Sequence, residues 1–422
     1  MSSRIKYLWA AALLLLIFSG LRAQDAEYYR TRRIKLAGKL EGAAALIPAA
    51  WEQDPFRQGN NLYYFTGIEQ PDILLLISPV LWGAEKEILF LPARNPSEGS
   101  LSEAWTGEKL GPGAQTQKQT GLDKAVDKNT FESTFARLVA DIDRLYFDYT
   151  PSDLNGPVSA AEVLLRSLRE RYPHLQILPL ARLADSMRIV KDSVEISTLE
   201  KAIDITGQSL IETIKALKPG MYEYEVEALI EYGFHRRGSQ RPGFVSIVGS
   251  GPNSAVLHYN KNRRRIGDQE LVLMDAGAEL NYYTADITRT VPSGGRFTKF
   301  QRQIYELVLE AQGSAIKAVR PGITLKEVHQ AARKTIEDAG YGNYFIHYTS
   351  HFLGMDVHDV GSRDIPLQPG MVLTVEPGIY LPEESFGVRI EDDVLVTADG
   401  CRVLSASIPK TVEQIESLMR SK

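Results

Sequence analysis

The second half of the chain contains an internal repeat, and this repeat constrains the fold more than any other feature of the sequence. The segments IKALKPGMYEYEVEALI (214–230) and IKAVRPGITLKEVHQAA (316–332) share a helix end, a Pro-Gly turn and a new amphipathic helix. Downstream, an acidic residue closes an apolar strand in each copy, at Asp275 and at Glu376. Chance similarity would account for the helical match alone, but the parallel carboxylates favour a duplicated unit.

Each copy is expected to present two carboxylates side by side on a β-hairpin. A hairpin centred on Leu280–Asn281 places Asp275 opposite Asp286, with Cβ atoms roughly 5 Å apart. In the second copy, a hairpin places Glu376 opposite Glu391 in the same way. Like charges in such positions repel each other unless a cation lies between them. Two hairpins related by a pseudo-twofold axis would therefore direct four carboxylates to one dinuclear cation site.

Structural ion pairs are the alternative explanation for these acids. Asp286 would pair with Arg289, and Glu391 with Arg389, and for either acid alone the two interpretations are evenly matched. Four acids in two matched hairpins with a nearby histidine favour a metal site instead.

Two neighbouring acids, Asp392 and Asp393, compete with Glu391 for its assignment. Alternation along a strand puts Arg389, Glu391 and Asp393 on one face. Asp392 falls on the other face. Strand alternation therefore supports the face that carries Glu391, but it does not choose between Glu391 and Asp393 as the ligand.

Four of the seven histidines fall within this candidate site region, and they are His258, His347, His351 and His358. Clustering near the acids favours a functional role, most strongly for His351 and His358. The other three are interpreted as surface residues or satisfied core residues: His174, His235 and His329. Four carboxylates and the imidazole of His351 form an oxygen-rich ligand set suited to two divalent ions.

Residues 24–185 are predicted to form a separate α/β domain. Apolar runs and helical spacing predict buried strands and one helix, in that order, at 73–77, 87–92, 144–149 and 159–172. The polar stretch 93–129 is expected to be a long loop with short elements. No cluster in this half suggests chemistry by itself.

The boundary between two domains is expected just before a helix that begins near Asp192. Asp192 and Glu195 have the spacing of a capping box, and an apolar stripe continues until Pro219-Gly220 ends the helix. The second domain is therefore predicted to span residues 186–422.

The N-terminus has the order of a secretory signal peptide. Arg4 and Lys6 precede an apolar run, Leu8–Phe18, and a small-residue cleavage site at Ala23 follows. The run is shorter than the ~18–20 apolar residues that cross a bilayer as a helix. Residues 1–23 are thus predicted to direct export to the periplasm or the medium, with an uncleaved N-terminal anchor as the alternative.

Charge and cysteine content narrow the class of protein. Lys and Arg total 48 against 53 Asp and Glu, and no basic stripe interrupts the mixed charge, so no nucleic-acid partner is expected. Cys401 is the only cysteine, which excludes an intrachain disulfide. Core packing must therefore hold the fold.

At these residues the chain resembles the aminopeptidase P and prolidase family, whose catalytic domain has the pita-bread fold shared with methionine aminopeptidase. The similar segments are LHY (257–259), MDAGAELNYYTADITRT (274–290), TSHFLGMDVHDVG (349–361), LTVEPGIY (373–380) and GVRIEDDVLVT (387–397). In the first half, FRQGNNLYYFTG (56–67) and EAWTGEKLGP (103–112) resemble the amino-terminal domain of aminopeptidase P. The resemblance implies a two-domain α/β (α+β) protein, with a creatinase-like α/β domain followed by a pita-bread catalytic domain with internal pseudo-twofold duplication.

The resemblance also implies the metal ligands. Asp275 would bind one divalent ion, His351 and Glu376 would bind the other, and Asp286 and Glu391 would bridge both. Manganese is the first choice because carboxylates dominate the ligand set, with cobalt or zinc as alternatives.

Four further residues match family positions that act on the substrate. His258 and His358 match histidines that contact the substrate and stabilise the tetrahedral intermediate. His347 matches an active-site histidine of less settled role, and Arg389 matches an arginine that supports the site.

The implied activity is hydrolysis of the bond between an N-terminal residue and a following proline. A metal-bridging hydroxide would attack the carbonyl, Glu376 would carry the water proton to the proline nitrogen, and His358 would stabilise the oxyanion. A prolidase restricted to Xaa-Pro dipeptides is the main alternative, and a non-catalytic peptide-binding relative is a weaker one. The family also implies a homodimer or homotetramer. Tyr348 and Phe352 stand where the family often has glycine and tryptophan, which affects the expected pocket shape.

Overall fold

The computed structural model describes residues 26–50, 55–81, 85–93, 107, 109–149, 156 and 158–421. The predicted leader, residues 1–23, lies outside this part of the chain. Two compact units divide the chain, Met1–Ala184 and Asp185–Lys422. Within the described residues, none of the helices combines the length and apolar character that a membrane crossing requires.

The secondary structure of the described residues alternates helices and short strands. The helices are α1 (26–39), α2 (Asn60–Thr66), α3 (Ala114–Thr120), α4 (Phe131–Leu138), α5 (Ala160–Arg171), α6 (Ala181–Arg188), α7 (Ser193–Ala216), α8 (Glu223–Arg236), α9 (Lys299–Ala318), α10 (Leu325–Asp338) and α11 (Val412–Arg420). The strands are β1 (Ala44–Pro48), β2 (Leu74–Ile77), β3 (Glu87–Leu91), β4 (Lys124–Asp127), β5 (Arg144–Phe147), β6 (Gln176–Pro179), β7 (Arg241–Pro242), β8 (Ile247–Ser250), β9 (Leu271–Ala276), β10 (Ala278–Leu280), β11 (Tyr283–Thr284), β12 (Ile287–Pro292), β13 (Val372–Val375), β14 (Gly378–Leu381), β15 (Phe386–Arg389), β16 (Asp392–Val396) and β17 (Cys401–Val403).

The first unit is built on one mixed six-stranded sheet. Its strand order is β4-β3-β2-β1-β5-β6, with β2 antiparallel to both neighbours and the remaining pairs parallel. Helices α4 and α5 bury apolar side chains against this sheet, among them Phe135 and Leu168. The predicted strands within 73–77, 87–92 and 144–149 and the helix within 159–172 are confirmed. In the stretch 93–129, the described part contains α3 and β4 as short elements.

The second unit repeats one arrangement, a pair of helices packed under a β-hairpin. Helices α7 and α8 share a hydrophobic core with β9 and β12, and α9 and α10 share another with β13 and β16. The internal repeat of the sequence thus corresponds to two similar halves of the second unit. Each half carries two of the four predicted carboxylates on its hairpin.

Helix α7 begins as its sequence predicts. The Asp192 carboxylate accepts the N–H groups of Val194 and Glu195 at 2.9 and 3.0 Å, and the Glu195 carboxylate accepts the N–H of Asp192 at 3.0 Å. The capping box therefore satisfies three backbone N–H groups at the start of the helix.

Replacement of this cap gives a stability prediction. Asp192→Ala is expected to lower the free energy of unfolding by about 1 kcal/mol, because the first-turn donors lose their acceptor. Urea unfolding of the purified variant measures this change. Ser197→Ala, at an exposed position inside the same helix, is the control and should leave stability nearly unchanged. Equal stability of the two variants would contradict the capping role.

The register of the first hairpin differs from the prediction. Asp275 lies opposite Thr288, not opposite Asp286, so these two acids are diagonal neighbours. The turn is centred on Asn281 and Tyr282, which have φ of 48° and 72°. A two-residue hairpin turn of this kind needs positive φ at both central positions, and this requirement moves the centre by one residue.

The register of the second hairpin agrees with the prediction. Val375 pairs with Asp392 on one side of the site, and Gly378 pairs with Arg389 on the other. Both pairings follow one register, which brings Glu376 opposite Glu391 in the gap between them. The two hairpins also meet directly, since the N–H of Glu391 donates to the carbonyl of Thr288 at 3.2 Å.

Candidate metal centre

The predicted site residues line a single cavity of about 420 Å³ in the second unit. The nine residues are Asp275, Asp286, His351, Glu376, Glu391, His258, His347, His358 and Arg389. They come from the two hairpins and from two loops, residues 251–264 and 345–363. The cavity therefore collects groups that lie more than a hundred positions apart along the chain.

Three candidate ligands form the centre of this cavity. One ligand atom from each of Asp286, His351 and Glu391 lies within 4.8 Å of the others. The Nε2 atom of His351 is 3.4 Å from Asp286 Oδ2 and 3.6 Å from Glu376 Oε1. This spacing allows one cation to contact several of these atoms together.

The His351 ring has the orientation of a metal ligand. Its Nδ1 lies 3.1 Å from the carbonyl oxygen of Phe352, so Nδ1–H donates to that oxygen. The lone pair of Nε2 then faces the carboxylates of Asp286 and Glu376. A backbone acceptor on the second nitrogen is the usual way in which proteins fix a metal-binding histidine.

The carboxylates repel one another when no metal ion is bound. Asp286 and Glu391 are only 5% and 2% exposed. Burial, reinforced by the charge of Asp275, raises the pKa of Asp286 well above its usual range. Burial and the charge of Asp286 raise the pKa of Glu391 in the same way, and burial raises the pKa of Glu376 to about 6.

These groups fit divalent cations. The Oδ1 atom of Asp275 is buried without a hydrogen-bond partner among the described residues, as expected for an atom that binds metal. Clustered buried carboxylates supply the negative charge and the oxygen ligands that divalent ions need.

The alternative ion pairs do not form as proposed. Arg289 pairs with Asp392 at 2.8 Å, and both side chains are fully buried, so the suggested pair with Asp286 is wrong. Arg389 donates to Asp275 Oδ2 at 2.6 Å, so its ion pair is with that acid and not with Glu391.

The two acids that compete with Glu391 have other partners. Asp392 is held by Arg289, Lys410 and Ser405. Burial alone would raise the pKa of Asp392, but the charges of Arg289 and Lys410 hold it below the usual range. Asp393 accepts the backbone N–H of Asp286 at 3.2 Å and therefore supports a candidate ligand from behind. Of the three neighbouring acids, Glu391 is the one that lines the cavity.

Two histidines beside the acids are neutral at physiological pH. Burial, with a contribution from Arg389, lowers the pKa of His347 to about 3. Its Nε2 lies 3.0 Å from the hydroxyl of Tyr380. Burial and the neighbouring His351 lower the pKa of His358 to about 4, and the His358 ring stacks on His351 at 4.1 Å.

The remaining histidines occupy different surroundings. His258 is exposed and lies at the cavity wall. His329 is a satisfied core residue, as predicted, because its Nδ1 lies 2.9 Å from the hydroxyl of Thr349. His174 and His235 lie outside the cavity lining.

Several supporting residues were missed by sequence reasoning. The hydroxyl of Thr288 donates to Glu391 Oε2 at 2.7 Å and accepts from Arg389 Nε at 3.1 Å. Arg389 also donates to the hydroxyl of Tyr380 at 2.9 Å. The two-residue period of a strand places Thr288 on the same face as Asp286, and this signal was available in the sequence. No comparable local signal distinguishes Tyr380.

Comparisons with known proteins agree with this geometry. Residues 197–398 match the model of metallopeptidase family M24, and residues 29–146 match the aminopeptidase P N-terminal domain. The chain is 34% identical to Xaa-Pro aminopeptidase of Escherichia coli (strain K12), over 93% of this chain and 97% of that protein. The chain belongs to the Xaa-Pro aminopeptidase family. It is thus a hydrolase of the M24 metallopeptidases, and this membership implies divalent-metal binding.

Solved structures extend the agreement to the fold. A putative aminopeptidase P from Bacillus anthracis has a TM-score of 0.88 at 32% identity, covering 94% of this chain and 99% of that one. Aminopeptidase P of E. coli with the inhibitor Pro-Leu has a TM-score of 0.83 at 33% identity, covering 94% and 98%. The predicted family resemblance, two-domain α/β fold and hydrolase class are therefore confirmed.

Proposed function

We propose that this chain removes the N-terminal residue of peptides whose second residue is proline, and that it uses two divalent ions. The convergence of four carboxylates and His351 in one cavity carries the proposal. Relatives named Xaa-Pro aminopeptidase match at about a third identity over nearly the whole chain, which supports the substrate class.

The five ligands are proposed to be Asp275, Asp286, His351, Glu376 and Glu391. Asp286 and Glu391 would bridge the two ions, and manganese is preferred over cobalt or zinc for this oxygen-rich set. When bound, the ions would lower the pKa of a water molecule to roughly 7 and so make it a nucleophile at neutral pH.

Glu376 is proposed to move the proton during hydrolysis. Its carboxylate faces the ligand cluster, with Oε1 3.6 Å from His351 Nε2 and Oε2 3.6 Å from His347 Nδ1. It would accept a proton from the attacking water and pass it to the leaving proline nitrogen.

His358 and His258 are proposed to contact the peptide. Because the pKa of His358 is lowered to about 4, its ring is neutral at pH 7 and still offers one N–H donor. That donor would stabilise the oxyanion that develops on the substrate carbonyl. Phe244, Ile247 and Leu257 give the cavity an apolar wall, which suits a tertiary prolyl amide that has no N–H to donate.

Substitution of His358 tests this division of roles. His358→Ala is expected to lower kcat by about 100-fold while leaving the metal content unchanged, because one oxyanion donor is lost. Steady-state kinetics and metal analysis of the purified variant measure both quantities. His235→Ala, at an exposed histidine outside the cavity, should match the unaltered protein. Loss of metal in the His358 variant would instead identify this residue as a ligand.

Cleavage restricted to Xaa-Pro dipeptides is the second candidate function. Xaa-Pro dipeptidase of Pyrococcus furiosus is 43% identical over 52% of this chain and 64% of that protein. A hydrolysis assay with manganese, cobalt or zinc should compare an Xaa-Pro dipeptide with an Xaa-Pro-Yaa tripeptide. Faster cleavage of the tripeptide supports the aminopeptidase, and cleavage of the dipeptide alone supports the alternative.

We also propose that residues 1–23 are an export leader and that the mature protein comprises an N-terminal domain, 24–185, and a catalytic domain, 186–422. A homodimer or homotetramer is proposed from the family. Mass spectrometry of the exported protein tests cleavage after Ala23, and light scattering tests the oligomeric state.

A further inference from the structure

We infer that Glu223 is a positioning residue that fixes the loop carrying His258, and that its hydrogen bond with Tyr259 is the decisive contact. The inference rests on the proposed substrate contact of His258. Glu223 lies at the start of α8, outside the cavity lining. It would therefore act through the loop and not on the substrate.

The Glu223 carboxylate is fully buried and accepts five hydrogen bonds. Its Oε1 accepts from the N–H and hydroxyl of Ser250, both at 2.8 Å, and from the side-chain amide of Asn253 at 3.0 Å. Its Oε2 accepts from the hydroxyl of Tyr259 at 2.7 Å and from the N–H of Arg264 at 2.8 Å. The donors are spread along residues 250–264, so one carboxylate holds both ends and the middle of this loop.

Glu223 forms no ion pair among the described residues, so these five donors are its hydrogen-bond partners. The Arg264 guanidinium forms its ion pair with Glu270, at 2.5 Å. A buried carboxylate without an ion pair depends on its hydrogen bonds, and such bonds are stronger to a charged acceptor than to a neutral one. Glutamine at this position would turn one acceptor into a donor that faces other donors.

His258 has no hydrogen bond of its own among the described residues, and its side chain is exposed. Packing therefore does little to choose the direction of its ring. Leu257 and Asn260 of the same loop line the same cavity, and Tyr259, which directly follows His258, is the residue that Glu223 holds. The direction of His258 thus follows from the anchoring of Tyr259.

The test is a double-mutant cycle between the anchor and His258. Tyr259→Phe and Glu223→Gln are each expected to lower kcat/KM for an Xaa-Pro tripeptide by about tenfold, because small displacements of a substrate-contacting group are costly. In a His258→Ala background, the same changes should add almost nothing. Metal content should stay unchanged throughout, and Tyr232→Phe, an exposed tyrosine on α8, should behave as the unaltered protein.

A second measurement does not depend on activity. Amide hydrogen exchange at residues 256–260 is expected to quicken in Tyr259→Phe and Glu223→Gln, and to stay unchanged in Tyr232→Phe. Unchanged exchange, or losses of activity that persist in full without His258, would overturn the inference. An unaltered protein that cleaves no Xaa-Pro peptide would overturn the proposed function, and exchange would still decide the role of Glu223.

Discussion

Removal of bound metal with a chelator is expected to abolish hydrolysis and to leave a protein that its clustered carboxylates destabilise increasingly as the pH rises. In the metal-free fold, burial raises the pKa of Asp286 and Glu391 well above the usual range, and that of Glu376 to about 6. A group whose pKa is higher in the folded state binds more protons when folded, so the free energy of unfolding decreases with rising pH.

The pH window follows from these directions. The loss of folding stability is absent below the ordinary carboxylate pKa, near 4, and is complete above the raised pKa of the folded state. For Glu376 alone, a change from 4.5 to about 6 corresponds to about 2 kcal/mol lost by pH 8. Asp286 and Glu391 add to this loss in the same direction.

Unfolding of the chelated protein in urea at pH 5 and pH 8 measures this effect. The carboxylates should lower the stability at pH 8, against the opposite contribution of His347 and His358, whose lowered pKa values favour the folded state as the pH rises above 5. Manganese should raise the stability more at pH 8 than at pH 5, because it binds the ionised carboxylates. A chelated Asp286→Ala variant whose stability has the same pH dependence as that of the chelated unaltered protein would contradict the proposed cation site.

Asp286→Ala is expected to lower kcat/KM by about 1,000-fold or more and to reduce the bound metal. The reason is that this carboxylate is proposed to bridge both ions, and the ions supply several kcal/mol of transition-state stabilisation. The same variant should shrink the loss of metal-free stability at pH 8, because one of the mutually repelling carboxylates is gone.

Metal analysis, kinetics and urea unfolding of one preparation measure these three outcomes together. Asp364→Ala is a suitable control, since this exposed acid pairs with Lys326 outside the cavity lining. If Asp286→Ala retains full metal content and full hydrolysis, the bridging assignment is wrong.

Much of the site could be predicted from the sequence because its determinants are local. Strand alternation and the closing position of each acid indicate the faces that carry Asp275 and Glu376. The capping-box spacing of Asp192 and Glu195 indicates where helix α7 begins, and the structure confirms it. The second hairpin also keeps the predicted register, so Glu376 and Glu391 lie opposite each other.

The predicted register of the first hairpin is wrong. Its centre moved by one residue because the turn backbone requires positive φ at Asn281 and Tyr282, and sequence distance alone does not specify the turn type. Each cross-strand residue pair then shifts, so Asp275 lies opposite Thr288 and not opposite Asp286. The two acids still share a cavity because they remain diagonal neighbours on one face.

The sequence by itself determined the candidate ligands, the duplicated unit and the family, because periodicity, capping and motif order are properties of neighbouring residues. Tertiary structure alone decided which partner each charge takes: Arg289 joins Asp392, and Arg389 joins Asp275. It also decided that Glu223 holds the loop of His258. Such choices depend on distances between segments far apart in the chain, and these distances are fixed only when the two hairpins and their helices pack together.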